Sequence, residues 1–206
     1  MTERIALIDV VREYRTAAET VRAVGGVTFA LHSGTVTALV GPSGAGKTTL
    51  INLIVGWDRP TSGTVRRSDG DDWKGIAVVP QALGLLPELT IAENVWLPIR
   101  LGNPAHRSLE ELLSSVGILD IARRLPDEVS MGEQQRTAVA RALAGGPQIL
   151  IADEPTAHQD EANVQRIAEL LAASAEEGAA VLVATHDPRL LDKVDEVIDL
   201  EDGLIV

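Results

Sequence analysis

The chain has 206 residues, 45% hydrophobic and 23% charged, enough for one well-buried domain; with aromatics at 2%, its core must be built from Ala, Val, Leu and Ile. A formal net charge of −12 argues against a broad nucleic-acid-binding or membrane-adsorbing face, because an acidic surface repels phosphate backbones and anionic lipid. Zero cysteines exclude a disulfide framework and a thiolate metal site, and no apolar run approaches the roughly 20 residues of a membrane-spanning helix.

In chain order, "IALIDVV" (5–11), "VTFAL" (27–31) and "TVTALV" (35–40) are predicted strands. The opening segment "MTERIALIDVVREYR" lacks a signal-peptide core, so a soluble intracellular protein is expected. A Gly-rich turn then leads into a helix over 47–55, and "IAVV" (76–79) is a further strand. From about 88 to 145 only helical patterns occur, with breaks expected at Pro98, Gly102, Pro104, Gly117 and Pro126. Strand–helix alternation resumes with strand 148–153, helix 160–175, strand 180–185, helix 188–194 and strand 196–200. Apolar strands separated by helices predict a parallel sheet covered on both faces, with the 88–145 segment as an inserted helical lobe.

"GPSGAGKT" (Gly41–Thr48) fits G-x-x-x-x-G-K-[ST] between a buried strand and a helix, the context a phosphate loop requires. Gly41, Gly44 and Gly46 allow successive N–H groups to turn toward a phosphate. Lys47 supplies a point charge for phosphate oxygens and the Thr48 hydroxyl a hard ligand for Mg²⁺. "ILIADEP" (149–155) is an apolar strand running into Asp153 and Glu154, whose side chains are expected to face opposite ways as adjacent strand residues, so that the pair cannot act as one bidentate ligand. Asp153 is the expected Mg²⁺ partner and Glu154 the group that polarises an attacking water. A solvated acidic turn ended by Pro155 is the plainer account of the same residues. His186 in "VLVATHDP" falls at the carboxyl edge of the sheet, where open α/β sheets bind ligands. Asp187 as N-cap and Pro188 at the first helical position account for the turn around it.

In "VSMGEQQR" (129–136), Ser130 and Glu133 make an S-x-x-E capping box, which explains a helix start. It does not explain Gly132, Gln134, Gln135 or Arg136.

These motifs together resemble the ATP-binding-cassette family, the ATPase subunits of ABC transporters, over nearly the whole chain and in the family's order. The resemblance implies an α/β fold of the P-loop NTPase, RecA-like type: a mostly parallel sheet, an inserted helical subdomain and a small N-terminal antiparallel β region, with residues 1–206 forming one cassette. Gly41, Pro42, Ser43, Gly44, Ala45, Gly46, Lys47, Thr48 and Thr49 would hold the phosphates of ATP. Gln81 in "VVPQ" resembles the glutamine loop, implying a catalytic-site role and a Mg²⁺ contact beside Thr48 and Asp153. "VSMGEQQR" is similar to the signature motif, implying that Ser130, Gly132 and Glu133 meet ATP held by a second subunit. "TAHQD" (156–160) falls at the D-loop, with Asp160 as the matching acid, and His186 resembles the switch histidine. Tyr14 sits where the family places an aromatic that stacks on adenine. Val129, Met131 and Glu133 depart from the Leu, first Gly and Gln of the usual L-S-G-G-Q; the capping box accounts for Glu133, whereas a side chain at Met131 could obstruct the dimer contact. The stretch between Gly56 and Gln81 is short, so a trimmed antiparallel region is expected.

The resemblance implies an ATPase that dimerises head to tail and acts on separate membrane permease subunits from the cytosolic side, with no nucleic-acid partner and no direct membrane insertion. "LLPELTIAENVWLPI" and "GWDRPTSG" resemble the branch that holds lipoprotein-release, macrolide-export and cell-division cassettes. An ATP-gated mechanotransmission role without cargo stays open, since the same residues serve it. Repair or translation cassettes carry coiled-coil, zinc or duplicated insertions that this chain lacks, and no N-K-x-D motif points to GTP.

Overall fold

The computed structural model describes residues 2–15, 19–68 and 75–206. Two sheets organise them. The larger has six strands in the order β5 (Ile76–Val79), β6 (Ile149–Asp153), β7 (Ala180–Ala184), β3 (Thr35–Val40), β8 (Glu196–Glu201), β9 (Leu204–Ile205). β5, β6, β7, β3 and β8 run parallel; β9 folds back antiparallel on β8. A three-stranded antiparallel sheet, β2 (Thr20–His32), β1 (Glu3–Arg15) and β4 (Ser62–Arg67), lies beside it.

The apolar runs of β6 and β7 follow from burial on both faces. Ile149 and Ile151 of β6, with Leu182 and Ala184 of β7, pack into a core shared with α1 (Lys47–Val55) and the antiparallel sheet. Leu150 and Ala152, with Val181 and Val183, point to the other face. There they meet α2 (Ile91–Arg100), α3 (Leu109–Ser115), α4 (Met131–Leu143) and α5 (Glu161–Glu176) through Ile91, Val95, Leu112, Val139 and Ile167. A strand with side-chain period two needs no polar face when helices cover one side and a second sheet the other.

Several elements differ from expectation. β1 and β2 are each 13 residues long, because their polar outer positions carry the pairing past the apolar runs. Ser62–Arg67 forms β4, a strand hidden by its exposed, charged sequence "SGTVRR". Of the expected trimming between Gly56 and Gln81, residues 69–74 lie outside the described residues. Pro98 sits inside α2 instead of breaking it; the helix ends two residues later, so the missing N–H falls in its last turn. α6 (Pro188–Leu191) is shorter than the expected 188–194. The chain leaves it early because Asp195 is tied to β3: its Oδ2 accepts from Val36 N at 2.8 Å, and its own N–H donates to Val36 O at 2.9 Å.

Candidate functional site

The loop between β3 and α1 turns through three glycines with positive φ, Gly41 (143°), Gly44 (86°) and Gly46 (104°). A Cβ on Gly41 would lie 2.1 Å from Leu200 O, and one on Gly46 2.3 Å from Ala23 O. β8 and β2 therefore press the loop into shape from behind. Gly46 caps α1 without any side-chain hydrogen bond, whereas α2, α3 and α4 all begin with capping boxes. The first-turn N–H groups of α1 are thus left for a ligand, beside the positive end of the helix dipole.

That turn opens on a cavity of about 570 Å³ lined by Ala23, Gly41 to Gly44, Gly46 to Thr49, Gln81, Asp153, Glu154 and His186. Lys47 Nζ reaches back to Gly41 O at 2.6 Å and Pro42 O at 3.0 Å. Of the loop residues singled out in the sequence, Ala45 alone does not line the cavity: its side chain is packed in the core and its N–H donates to Pro42 O.

Asp153 ends β6, and Glu154 leaves the strand at once with φ 51°. The expected alternation fails here, because the left-handed residue turns the second carboxylate into the same cavity as the first. Burial pushes the Asp153 carboxyl above its usual range and the Glu154 charge adds to the effect, while Lys47 opposes it. Glu154 N donates to Ala184 O at 2.8 Å, and its Oε1 lies 2.7 Å from His186 Nδ1. Asp187 caps α6 and Pro188 opens it, as expected from the sequence.

Thr48, Asp153 and Gln81 bring a hydroxyl, a carboxylate and a carboxamide to one cavity, a hard-oxygen donor set that fits Mg²⁺. Among the described residues no cluster of three His, Cys, Asp or Glu could hold a metal by itself. A cation bound here needs oxygens from a phosphate ligand or water, which is how Mg²⁺ is usually held.

Tyr14 is not brought to this cavity. Its hydroxyl donates to Asp58 Oδ2 at 2.8 Å, and the Arg12 guanidinium lies 4.4 Å from the ring centroid while also bonding Asp58. The three residues tie β1 to the loop that follows α1.

Ser130, Met131, Gly132, Glu133, Arg136, His158, Asp160 and Asn163 line a second cavity of about 480 Å³, and it shares no residue with the first. The capping box is formed: Ser130 Oγ accepts from Glu133 N at 3.3 Å, and Glu133 Oε2 accepts from Ser130 N at 2.7 Å. The Ser130 hydroxyl and N–H hold the Glu133 carboxyl below its usual range. Asp160 caps α5 by accepting from Asn163 N at 2.9 Å.

Of the residues the capping box left unexplained, Gly132 and Arg136 line this cavity, whereas Gln134 and Gln135 do not. Gln134 Nε2 donates to Pro126 O at 2.8 Å, and Arg136 Nη1 to Gln159 Oε1 at 2.8 Å. Gln159, which carried no signal in the sequence beyond its place in the loop, also donates to Gly132 O at 2.9 Å. Asn94 was missed altogether. Fully buried, it accepts from Leu86 N and donates to Leu86 O, Leu89 O and Thr90 O, fixing the loop that follows Gln81. Arg141 holds the same loop through Leu83 O and Gly84 O.

The protein family described as "ABC transporter" matches residues 24–157, from β2 through the turn after β6. The chain belongs to the ABC transporter family. An ABC transporter ATP-binding protein of Mycobacterium tuberculosis is 37% identical over 212 aligned positions, covering 95% of this chain; the chain spans 64% of that relative's length. The lipoprotein-releasing system ATP-binding protein LolD of Gluconobacter oxydans is 38% identical and aligns over 98% of this chain and 95% of its own length. Among solved structures, a dimeric ATP-binding cassette in a post-hydrolysis state with ADP and Pi superposes with a TM-score of 0.89 at 32% identity, covering 98% of this chain and 96% of that one. The fold expected from the sequence is thereby borne out: an ABC cassette with a mostly parallel core, helices and an N-terminal antiparallel sheet.

Proposed function

We propose that this cassette binds ATP with Mg²⁺ at the phosphate loop and hydrolyses it as one half of a head-to-tail dimer that drives separate membrane permease subunits. In this reading residues 1–206 act as one domain, with the segment of about 88–145 as its helical arm. The observation that carries it is the separation of the two cavities within one chain. The phosphate loop, Asp153, Glu154 and His186 face one; Ser130, Gly132 and Asp160 face the other. A second copy, related by a two-fold axis, supplies the missing half of each site.

The chemistry assigned to each residue follows from its position. Lys47 and the first-turn N–H groups of α1 neutralise the β- and γ-phosphates. Thr48, Asp153 and Gln81 would hold Mg²⁺, which supplies charge stabilisation on the phosphate oxygens. Glu154 orients and polarises the attacking water, and His186 steadies that carboxylate while its far nitrogen reaches the γ-phosphate. Ser130 Oγ and the Gly132 N–H meet the γ-phosphate on the partner's nucleotide, so loss of that phosphate reopens the dimer. Tyr14 is assigned to the adenine as an outlying platform, since stacking demands only a ring face.

Among the described residues no helix is long and apolar enough to cross a membrane. Work at the cytosolic face of a membrane through a permease therefore fits, as does kinship with the lipoprotein-releasing ATP-binding protein. The test is sedimentation of Glu154→Gln with ATP, with and without Ser130→Arg, beside turnover measured against protein concentration. Dimers with the first variant only, and turnover rising steeper than linearly in protein, are expected. Undiminished turnover by monomeric Ser130→Arg overturns the proposal.

A further inference from the structure

The proposed function gives the N-terminal end of α4 to a partner's nucleotide and Glu154 to the chain's own. Within one chain, those two assignments meet at Gln135. This residue lies in the second turn of α4 and is only 4% exposed, and it lines neither cavity. Its Nε2 donates to the carbonyl oxygen of Glu154 at 3.3 Å. The same oxygen accepts from Ala157 N at 3.2 Å within the turn, and the Glu154 N–H is held by Ala184 O; Gln135 is the anchor that reaches this peptide from α4. That matters because Glu154 has φ 51°, a left-handed conformation that is costly for a non-glycine residue and persists only where its surroundings impose it. One neighbour along α4, Arg136 reaches Gln159, and Gln159 reaches back to Gly132 O. The helix end that carries Ser130 and the turn that carries Asp160 are thereby locked into one body. Gln135 ties α4 to the other end of the same loop, where the hydrolytic carboxylate sits.

We infer that Gln135 is a positioning residue for ATP hydrolysis: it aims Glu154 by anchoring its peptide to the signature helix, so the seating of α4 on the partner's nucleotide sets the orientation of the chain's own carboxylate. The inference rests on the dimeric reading above. It makes the Gln135 amide one link in the cooperativity of the two nucleotide sites of a dimer. Nothing in Gln135 itself touches nucleotide, so its loss should leave binding intact.

Gln135→Met keeps length and volume and removes the donor. Its kcat should fall about tenfold or more, since displacement of a catalytic group by about 1 Å costs on the order of 10²-fold. KM for ATP should stay within about twofold, and the Hill coefficient should fall toward one. Thermal midpoint and ATP-dependent dimerisation in a Glu154→Gln background should match the parent. Gln135→Glu supplies a donor only when its carboxyl is protonated, so its deficit relative to Gln135→Met should narrow as pH is lowered. Ser130→Arg is measured alongside. If that variant turns over normally as a monomer, the dimeric reading falls. If it is inactive while Gln135→Met turns over like wild type, the positioning role alone falls. A Met variant that loses kcat, nucleotide affinity and thermal midpoint together, with no pH-dependent recovery in the Glu variant, marks a merely structural residue and also overturns the inference.

Discussion

His186 Nδ1 lies 2.7 Å from Glu154 Oε1, joining the turn after β7 to the turn after β6. The imidazole side chain is 86% exposed and the carboxylate 18%, so the pair presents the ring to solvent and keeps the acid back against the sheet. If Nδ1 carries the proton toward Glu154, the far nitrogen donates only in the imidazolium form. His186 is therefore suited to hold Glu154 while neutralising a phosphate. His186→Ala should lower kcat by about 10²-fold or more, within the range of general acid–base contributions, with ATP affinity little changed. Because the two side chains act as a unit, adding it to Glu154→Gln should cost almost nothing further. Steady-state turnover of the two single variants and the double variant checks this; additive losses would show that the residues act separately.

Asp153 supplies a stability test. Burial, then Glu154, raises its carboxyl, against the pull of Lys47. The folded chain thus retains a proton over a pH window in which the unfolded chain has lost it, and folding stability falls as pH rises through that window. Below the window both states are protonated and the penalty vanishes. Asp153→Asn should therefore unfold near the parent temperature at low pH and above it at neutral pH in the absence of nucleotide. Each kcal/mol relieved is worth about 2–4 °C for a chain of this size. The same variant should lose the Mg²⁺ dependence of ATP binding. Thermal melts across pH, with and without Mg²⁺–ATP, measure both halves.

The phosphate-loop glycines differ in what an added methyl group meets. At Gly44 nothing lies within 4 Å, so Gly44→Ala carries only the left-handed penalty of about 1–2 kcal/mol. At Gly46 the new Cβ would collide with Ala23 O as well, and backbone must move. Gly46→Ala should be the more damaging in thermal midpoint by several degrees and should weaken ATP binding more than Gly44→Ala does. Equal effects would mean that β2 does not brace the loop.

The phosphate loop and the acidic strand end were legible because each combines a spacing with a context: buried strand, turn, helix. The capping box at Ser130 was legible for the same reason, since its spacing is its mechanism. What stayed hidden was decided by tertiary partners. β4 carries "SGTVRR" and exists because β1 has an edge for it, not through its own propensity. The turn at Glu154 defeats period-two alternation by a single φ angle; Pro155 announced a turn, but not that Glu154 itself would take a left-handed conformation. Gln135 and Arg136 were visible as oddities, but their partners lie 19 and 23 positions away in sequence, and Gln159 carried no signal of its own. Tyr14 was singled out only by its place in the chain; its cluster with Arg12 and Asp58, outside the phosphate cavity, had no signal in the sequence.

Met131 opens α4 with half its surface exposed (52%), on the lip of the cavity that also contains Ser130 and Gly132. A partner's γ-phosphate must come within hydrogen-bond distance of Ser130 Oγ and the Gly132 N–H for the helix end to bind it. The thioether side chain stands between those two residues in sequence and must be pushed aside or desolvated first. Met131→Gly removes that obstacle and should tighten ATP-dependent dimerisation of the Glu154→Gln protein by up to about tenfold, equivalent to about 1.4 kcal/mol. Glycine is also a poorer helix former than methionine by up to about 1 kcal/mol, so the monomer's thermal midpoint should drop by about 2–4 °C. The expected result is thus a chain that is less stable alone and more firmly paired. Sedimentation with ATP and melting without it separate the two effects; dimerisation indistinguishable from the parent would mean that Met131 already lies clear of the contact.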